Sequence, residues 1–223
     1  MSEVKIPYRE FFVRIFGDKV YAVGGAVRDY LMGKKVEELD LLVVRTEPDE
    51  LVSKLAPYGK IDLVGKSFAV FKFHFKGKIV EIALPRRERK ARQDSFSHKN
   101  FLVEADPYMP IEEDLKRRDF TVNSIAMRLS DGLIVDPLDG RKDIERKLLR
   151  MTNPQAFADD PLRVLRAARF AAKLSFKIEP SVYEEAKKVR FDELARERVL
   201  EEMFKINLTN RPDIGWKEFV PLT

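Results

Sequence analysis

The chain has 223 residues, 44% of them hydrophobic, which is enough to bury one large core or two small ones. It carries 42 Lys and Arg against 37 Asp and Glu, and the resulting net charge of +5 points only weakly to a polyanionic partner. The absence of cysteine excludes disulfides, thiolate metal sites and cysteine nucleophiles, and the lack of a long apolar run or an apolar leader predicts a soluble, cytoplasmic protein that does not enter a membrane.

Strand and helix patterns alternate over the first two thirds of the chain. In chain order the predicted elements are helix 11–16, strand 20–23, helix 26–32, strand 39–44, helix 48–59, a hairpin of strands 68–75 and 79–84, a polar basic loop over 86–99, helix 114–127 and a pair of strands around 125–135. From about residue 146 the strand signals stop and helix patterns follow. The sequence therefore predicts an α+β protein with a mixed domain over 1–145 and a helical domain over 146–223.

Paired glycines interrupt the segment 21-YAVGGAVRDYLMG-33, where the first strand pattern passes into a helix pattern. Glycine lets the backbone turn tightly or approach a ligand closely, and the first N–H groups of a helix attract an anion. Taken alone, the segment is equally consistent with a strand-to-helix turn that binds nothing.

Acidic residues mark the start of the next strand. Glu38 and Asp40 are two residues apart, so on a strand both point to one face, while Leu39, Leu41 and Val43 point to the other. Carboxylates on a largely buried strand need a cation, and Mg²⁺ is usually held by such a pair together with substrate phosphates. The alternative is an exposed acidic edge. If the hairpin lies beside this strand, Glu81 adds a third carboxylate, in an apolar run where an unpaired charge is costly.

The segment 159-DDPLRVLRAARF-170 predicts a helix that is capped by Asp160 and has Pro161 at its first position. Charged residues recur in it at every third position, at Asp160, Arg163, Arg166 and Arg169, among apolar neighbours. Arginines on so apolar a helix need partners. The two interpretations are internal ion pairs and a nucleotide cleft lined by guanidinium groups.

Two other signals do not develop into sites. VGKS at 64–67 looks like the end of a phosphate-binding loop, but Lys60 stands where that motif requires glycine. His74 and His98 lack the spacing of metal ligands and are expected to be structural or exposed.

The order of four motifs carries a resemblance that none of them carries alone. GGAVRD, the acid-x-acid strand start, RRDFTVN and DDPLRVLRAARF follow one another within about residues 20–210. This arrangement resembles the class II tRNA nucleotidyltransferases, which are the CCA-adding enzymes and the related bacterial poly(A) polymerases. The resemblance implies a nucleotidyltransferase (polymerase-beta-like) head with a small mixed sheet and helices, followed by an all-α neck.

The resemblance also implies roles for individual residues. The implied nucleotide-binding residues are Gly24, Gly25, Arg28, Arg118, Asp160, Arg163, Arg166 and Arg169. The implied catalytic carboxylates are Glu38, Asp40 and Glu81, of which Glu38 and Asp40 bind Mg²⁺. Asp160 and Arg163 would read the edge of the base, since an aspartate accepts from the amino group of C or A, whereas U and G present a carbonyl there.

The chain departs from the family pattern in three ways. Glu38 and Asp159 stand where relatives usually have Asp and Glu, with the charge kept. Relatives continue through body and tail helices that grip the tRNA, whereas this chain stops soon after the neck begins. This predicts either a truncated chain or an RNA-binding surface supplied by an oligomer or a partner chain.

The implied function is template-independent transfer of CMP and AMP from CTP and ATP to the 3′ end of tRNA, by a two-metal mechanism. The basic segment 86–99 favours full CCA or A addition over CC addition, while a bacterial poly(A) polymerase shares every motif. A non-catalytic RNA-binding relative is the alternative from another class.

Overall fold

The computed structural model describes residues 4–64, 70–90, 101–155, 160–189 and 196–222, with only the backbone described for 87–90 and 101–104. These residues fall into two compact units. The first contains the residues up to 90 together with 101–116 and 123–137, and the second contains 117–122 and the residues from 138 onward.

The two units are built from helices and short strands. The helices are α1 (Arg9–Phe16), α2 (Gly25–Leu31), α3 (Pro48–Leu55), α4 (Ile111–Lys116), α5 (Gly140–Arg146), α6 (Leu162–Leu174), α7 (Pro180–Ala186), α8 (Arg196–Asn207) and α9 (Pro212–Leu222). The strands are β1 (Val20–Val23), β2 (Asp40–Val43), β3 (Ile61–Leu63), β4 (Val70–Phe75), β5 (Lys78–Ala83), β6 (Arg86–Lys90), β7 (Phe101–Ala105), β8 (Ala126–Arg128), β9 (Ile134–Val135), β10 (Leu148–Leu149) and β11 (Lys177–Ile178).

A seven-stranded mixed sheet organises the first unit, in the order β3-β4-β5-β2-β1-β8-β9. β2 and β5 run parallel, whereas the other neighbouring strands of this sheet are antiparallel. A separate antiparallel ladder pairs β6 with β7.

Apolar side chains cover both faces of the central strands. On one face Phe11 of α1 stacks on Phe75 of β4, with ring centroids 4.1 Å apart. On the other face Leu115 of α4 packs in a cluster with Tyr21 and Leu42. Strand β2 is therefore buried along its length except at its first residue, Asp40, which is half-buried.

The structure confirms most of the elements predicted for this unit, including the hairpin β4–β5, with boundaries that differ by a few residues. The predicted loop over 86–99 is wrong at its start, because β6 forms there by pairing with the apolar strand β7. Residues 91–100, with His98, lie outside the described residues, as do Gly65, Lys66 and Ser67 of VGKS.

The predicted helix over 114–127 is also wrong, since α4 ends at Lys116 and β8 begins at Ala126. The backbone between them bonds elsewhere. The carboxylate of Asp119 accepts the N–H of Phe120 at 2.8 Å, and the N–H of Thr121 donates to the carbonyl oxygen of Arg150 at 2.9 Å. These bonds replace those that would continue a helix.

Helix α6 is central to the second unit. Its residues Leu162 and Leu165 pack with Val199 of α8 and Phe219 of α9. A two-residue parallel pairing of β10 with β11 lies in this unit, so the expectation that strands stop at 146 is wrong in this detail. Residues 117–122 and 138–145 group with the helical unit, although they precede the boundary expected at 145/146.

Together the two units confirm the predicted α+β class, a mixed sheet with helices followed by a largely helical region. Within the described part of the chain, no helix combines the length and the apolar character needed to cross a bilayer.

Candidate active site

The glycine pair occupies the corner where β1 ends and α2 begins. Gly24 has a φ of +65°, in the left-handed range that disfavours residues with a side chain. Gly25 is constrained by space instead, because a Cβ built on it would lie 3.3 Å from Nη2 of Arg28. Gly24 is therefore favoured by its backbone conformation, and Gly25 by the limited space beside the Arg28 side chain.

Arg28 lies beneath this corner and is only 2% exposed. Its Nε donates to Oδ1 of Asp29 at 2.9 Å, and its Nη1 donates to Oδ1 of Asn123 at 2.6 Å. Nη2 also lies 2.8 Å from Oδ1 of Asp29. The guanidinium group is thus part of the buried support of the corner rather than of its surface.

Asp40 and Glu81 are direct neighbours in the sheet. They are partners in the parallel register of β2 and β5, where adjacent strands lie about 4.8 Å apart and partners point to the same face. The expectation that the hairpin brings Glu81 beside the acidic strand is confirmed. The expectation that Glu81 is enclosed by apolar residues is wrong: the alternation of β5 turns Glu81 outward, and its side chain is exposed.

The sequence predicted that Glu38 and Asp40 lie on the same strand, and this prediction is wrong. Strand β2 begins at Asp40, and Glu38 lies in the preceding segment with an exposed side chain. Leu39, which follows it, is buried at 5% exposure. Glu38 therefore lies close to the start of β2 because it is two residues away in the chain, and strand alternation does not determine where its side chain points.

The donor set fits a magnesium ion that is held partly by its substrate. Among the described residues, no three acidic, histidine or cysteine side chains form a group that could hold a metal ion, so Glu38, Asp40 and Glu81 do not make up a metal site by themselves. Mg²⁺ commonly binds through one or two carboxylates and completes its shell with water and substrate phosphates. Asp40 and Glu38, two residues before it, would supply such oxygen ligands, and Glu81 lies on the adjoining strand in register with Asp40.

The second unit carries the remaining predicted residues on or against α6. Oδ1 of Asp160 accepts the N–H of Leu162 at 3.1 Å, so its side chain bonds the start of the helix as expected, although the helix begins at Leu162 and Pro161 precedes it instead of holding its first position. Arg163 reaches the segment that contains Arg118: its two Nη atoms donate to the carbonyl oxygens of Arg117 and Arg118 at 2.7 and 3.1 Å.

The next two arginines of α6 are held in ion pairs. Nη2 of Arg166 lies 2.6 Å from Oδ2 of Asp119, and Nε of Arg169 lies 2.9 Å from Oε2 of Glu202. Burial acts to lower the pKa of Arg166, but the charge and the hydrogen bond of Asp119 outweigh it and leave the pKa raised. The internal pairing that the sequence left open is therefore present for Arg166 and Arg169.

Sequence analysis did not assign roles to three of these partners: Asn123, Asp119 and Glu202. Asn123 and Asp119 belong to RRDFTVN. Their signal in the sequence was that each is a polar residue next to Phe or Val, between a helix and a strand. Glu202 gave no signal, because an acid on an amphipathic helix usually faces solvent. His74, by contrast, is paired with Asp62 at 2.7 Å, in agreement with its expected structural role.

Several known proteins are similar to this chain in sequence and in fold. The family model described as poly A polymerase head domain matches residues 20–150, more than half of the chain. The multifunctional CCA protein of Alkalilimnicola ehrlichii is 42% identical over 201 residues, which cover 87% of this chain and 46% of that protein. The chain thus spans about half the length of the curated relatives it matches.

Two solved structures share the fold. The Bacillus stearothermophilus CCA-adding enzyme in complex with CTP has a TM-score of 0.71 at 29% identity, covering 90% of this chain and 49% of that one. The Thermotoga maritima CCA-adding enzyme complexed with tRNA has a TM-score of 0.77 at 25% identity, and the match covers 99% of this chain and 52% of that one. The chain therefore belongs to the poly(A) polymerase head-domain family, that of the class II CCA-adding enzymes.

Proposed function

We propose that this protein transfers CMP and AMP from CTP and ATP to the 3′ end of tRNA without a nucleic-acid template. The observation that carries the proposal is the register of Asp40 with Glu81, in the same unit as the glycine corner. The relatives support it, since they bear the name CCA protein and two solved ones hold CTP or tRNA. A tRNA substrate puts the proposed reaction in the cytoplasm.

In this proposal the carboxylates of the first unit hold the metal. Glu38 and Asp40 would bind Mg²⁺, with Glu81 on the adjoining strand as the third catalytic carboxylate. Two bound metal ions would supply the positive charge that activates the 3′-hydroxyl and neutralises the pyrophosphate leaving group. Gly24 and Gly25 would offer backbone N–H groups to the triphosphate, with Arg28 as the part of the corner that lies below them.

The residues of the second unit would select the base. The carboxylate of Asp160 accepts hydrogen bonds only, so it suits the amino group of C or A and opposes the carbonyl of U or G. Arg163 would donate to ring acceptors of the base. Arg118, Arg166 and Arg169 complete the proposed nucleotide-contacting set, and the ion pairs of Arg166 with Asp119 and of Arg169 with Glu202 restrict the orientation of each guanidinium group.

Extension of three tRNAs, which end before CCA, after C and after CC, tests the function. Each is incubated with the protein, Mg²⁺ and CTP, ATP or both, and the products are separated on a denaturing gel. Addition of C, C and A followed by a stop is the expected result. Addition of A to the CC-ended tRNA alone would indicate an A-adding enzyme, and addition of CC alone a CC-adding enzyme. A long ladder of A would indicate a poly(A) polymerase.

A lack of extension has two explanations, and measurements of nucleotide binding distinguish them. Mg²⁺-dependent binding of CTP and ATP without transfer would favour an enzyme that needs tRNA-binding surface from an oligomer or a partner chain. Binding of tRNA with no effect of Mg²⁺ or nucleotide would favour the non-catalytic RNA-binding relative and overturn the proposal.

Asp160→Ala is expected to relax the choice of base. One good polar pair gives about 1–3 kcal/mol of discrimination, roughly 5- to 150-fold at 1.4 kcal/mol per tenfold. We expect UMP incorporation to rise relative to CMP by a factor in this range, as measured from the rates with each nucleotide under single-turnover conditions. If the variant still incorporated only C and A, Asp160 would not read the base.

Asp160→Asn separates base reading from helix capping. Asparagine caps a helix as well as aspartate does, so this variant keeps the bond to the N–H of Leu162. Its amide also donates, which allows it to face the carbonyl of U or G. Asp160→Asn is therefore expected to relax base choice at unchanged stability, and Asp213→Ala, which removes an exposed acid from the same unit, serves as the control.

A further inference from the structure

Arg28 is among the largest fully buried side chains of the protein, and the proposed chemistry gives its position no explanation by itself. A guanidinium group carries five N–H donors and no acceptor, so its burial requires acceptors fixed around it. Asp29 supplies one oxygen from the adjacent residue, and Asn123 supplies another from 95 residues along the chain. Asn123 itself is buried, at 5% exposure.

Asn123 makes a long-range hydrogen bond to this side chain. A bond within α2 or to the neighbouring Asp29 moves with the helix, whereas Asn123 lies at the end of the helical turn Thr121–Asn123, with two residues between it and the start of β8. β8 is hydrogen-bonded to β1, the strand that leads into the glycine corner. The bond of 2.6 Å from Nη1 of Arg28 to Oδ1 of Asn123 therefore connects α2 to the segment that leads into β8 of the same sheet.

The glycine corner depends on where this guanidinium group lies. Nη2 of Arg28 occupies the space beside Gly25, 3.3 Å from where a Cβ would be, and the N–H of Arg28 makes the first bond of the helix to the carbonyl oxygen of Gly24 at 3.1 Å. A change in the Arg28 side chain therefore acts on the corner through Gly25, whereas the bond to Gly24 is made by the backbone.

We propose that Arg28 and Asn123 are positioning residues for the nucleotide: Asn123 fixes the buried guanidinium group of Arg28, and Arg28 holds the Gly24–Gly25 corner in the conformation that receives the triphosphate. The proposal rests on the proposed function for the identity of the ligand. It gives Arg28 a supporting role beneath the corner and makes Asn123 a determinant of nucleotide affinity that has no contact with nucleotide.

The test compares Asn123→Ala, which removes the acceptor, with Asn123→Asp, which keeps an oxygen in the same place. The first readout is hydrogen exchange of the peptide over residues 20–31 in the protein without nucleotide. Faster exchange in Asn123→Ala and exchange close to that of the original protein in Asn123→Asp are expected. Asn207→Ala is the matched control, because it removes an acceptor from Nε1 of Trp216 at 2.9 Å in the other unit.

The second readout separates binding from chemistry. Asn123→Ala is expected to raise KM for CTP and ATP about tenfold, which corresponds to 1.4 kcal/mol, with kcat changed far less. Arg28→Lys, which keeps the charge but loses the planar fork, should behave like Asn123→Ala. If Arg28 instead touched phosphate through its charge, Arg28→Lys would keep KM, and that result would overturn the proposal.

The two readouts also distinguish this proposal from the proposed function. Unchanged exchange over 20–31 in Asn123→Ala, with a loss of melting temperature no different from that of Asn207→Ala, would remove the positioning role. If the original protein bound neither CTP nor ATP, the proposed function would fail, and the exchange of the corner would still decide whether Asn123 and Arg28 hold it.

Discussion

Asp40→Asn is expected to reduce the rate of nucleotide transfer by roughly 10³-fold, equivalent to about 4 kcal/mol of transition-state stabilisation. Asp40 is the one polar residue of β2, and its carboxylate adjoins Glu81 across the sheet. Asparagine has almost the same shape, so the strand pairing is kept while the negative charge is lost. The rate is measured under single-turnover conditions on a CC-ended tRNA with ATP and Mg²⁺.

The control for this substitution is Asp62→Asn. Asp62 lies on β3 of the same sheet, where it is paired with Lys60 and His74 and where these partners lower its pKa. The same chemical change is thus made outside the proposed centre. If Asp62→Asn lost as much activity as Asp40→Asn, or if Asp40→Asn remained active, the charge of Asp40 would not serve catalysis.

The position of Asp40 could be predicted from the sequence because it follows from local pattern. LDLLVV is a short, almost continuous apolar run typical of a central strand, and the hairpin that carries Glu81 has a clear two-residue period. Glu38 was mispredicted by the same reasoning, since periodicity gives no information on the residue at which a strand begins. Strand ends depend on which neighbour supplies hydrogen bonds, and β2 finds partners only from Asp40 onward.

The partners of the charged residues could not be predicted from the sequence. The helix α6 and its arginine stripe were evident from composition, but the acceptors of Arg163 are backbone carbonyls 45 and 46 residues earlier in the chain. One acceptor of Arg28, Asn123, lies 95 residues later. A one-dimensional pattern indicates that a buried arginine needs a partner, and only the tertiary structure identifies which one.

Asp119→Ala is expected to lower the free energy of unfolding by about 3 kcal/mol, at the lower end of the range for breaking a buried ion pair, because Arg166 is partly exposed. The buried carboxylate of Asp119 accepts from Nε and Nη2 of Arg166 and from the N–H of Phe120. Its removal takes an acceptor from a charged group and from a buried backbone donor at once. We expect a fall of roughly 6–12 °C in melting temperature, at 2–4 °C per kcal/mol for a chain of this size.

Asp213→Ala supplies the matched control, since Asp213 makes a bidentate pair with Arg211 at 2.9 and 2.8 Å on an exposed surface of the same unit. Exposed pairs contribute little to stability, so this variant should melt close to the original protein. The double variant Asp119→Ala/Arg166→Ala should recover part of the loss, because it no longer leaves a guanidinium group without its carboxylate. Two results would contradict this role of the pair in holding the RRDFTV segment to α6. One is a melting temperature of Asp119→Ala equal to that of Asp213→Ala, and the other is a loss of stability in the double variant equal to the sum of the losses in the two single variants.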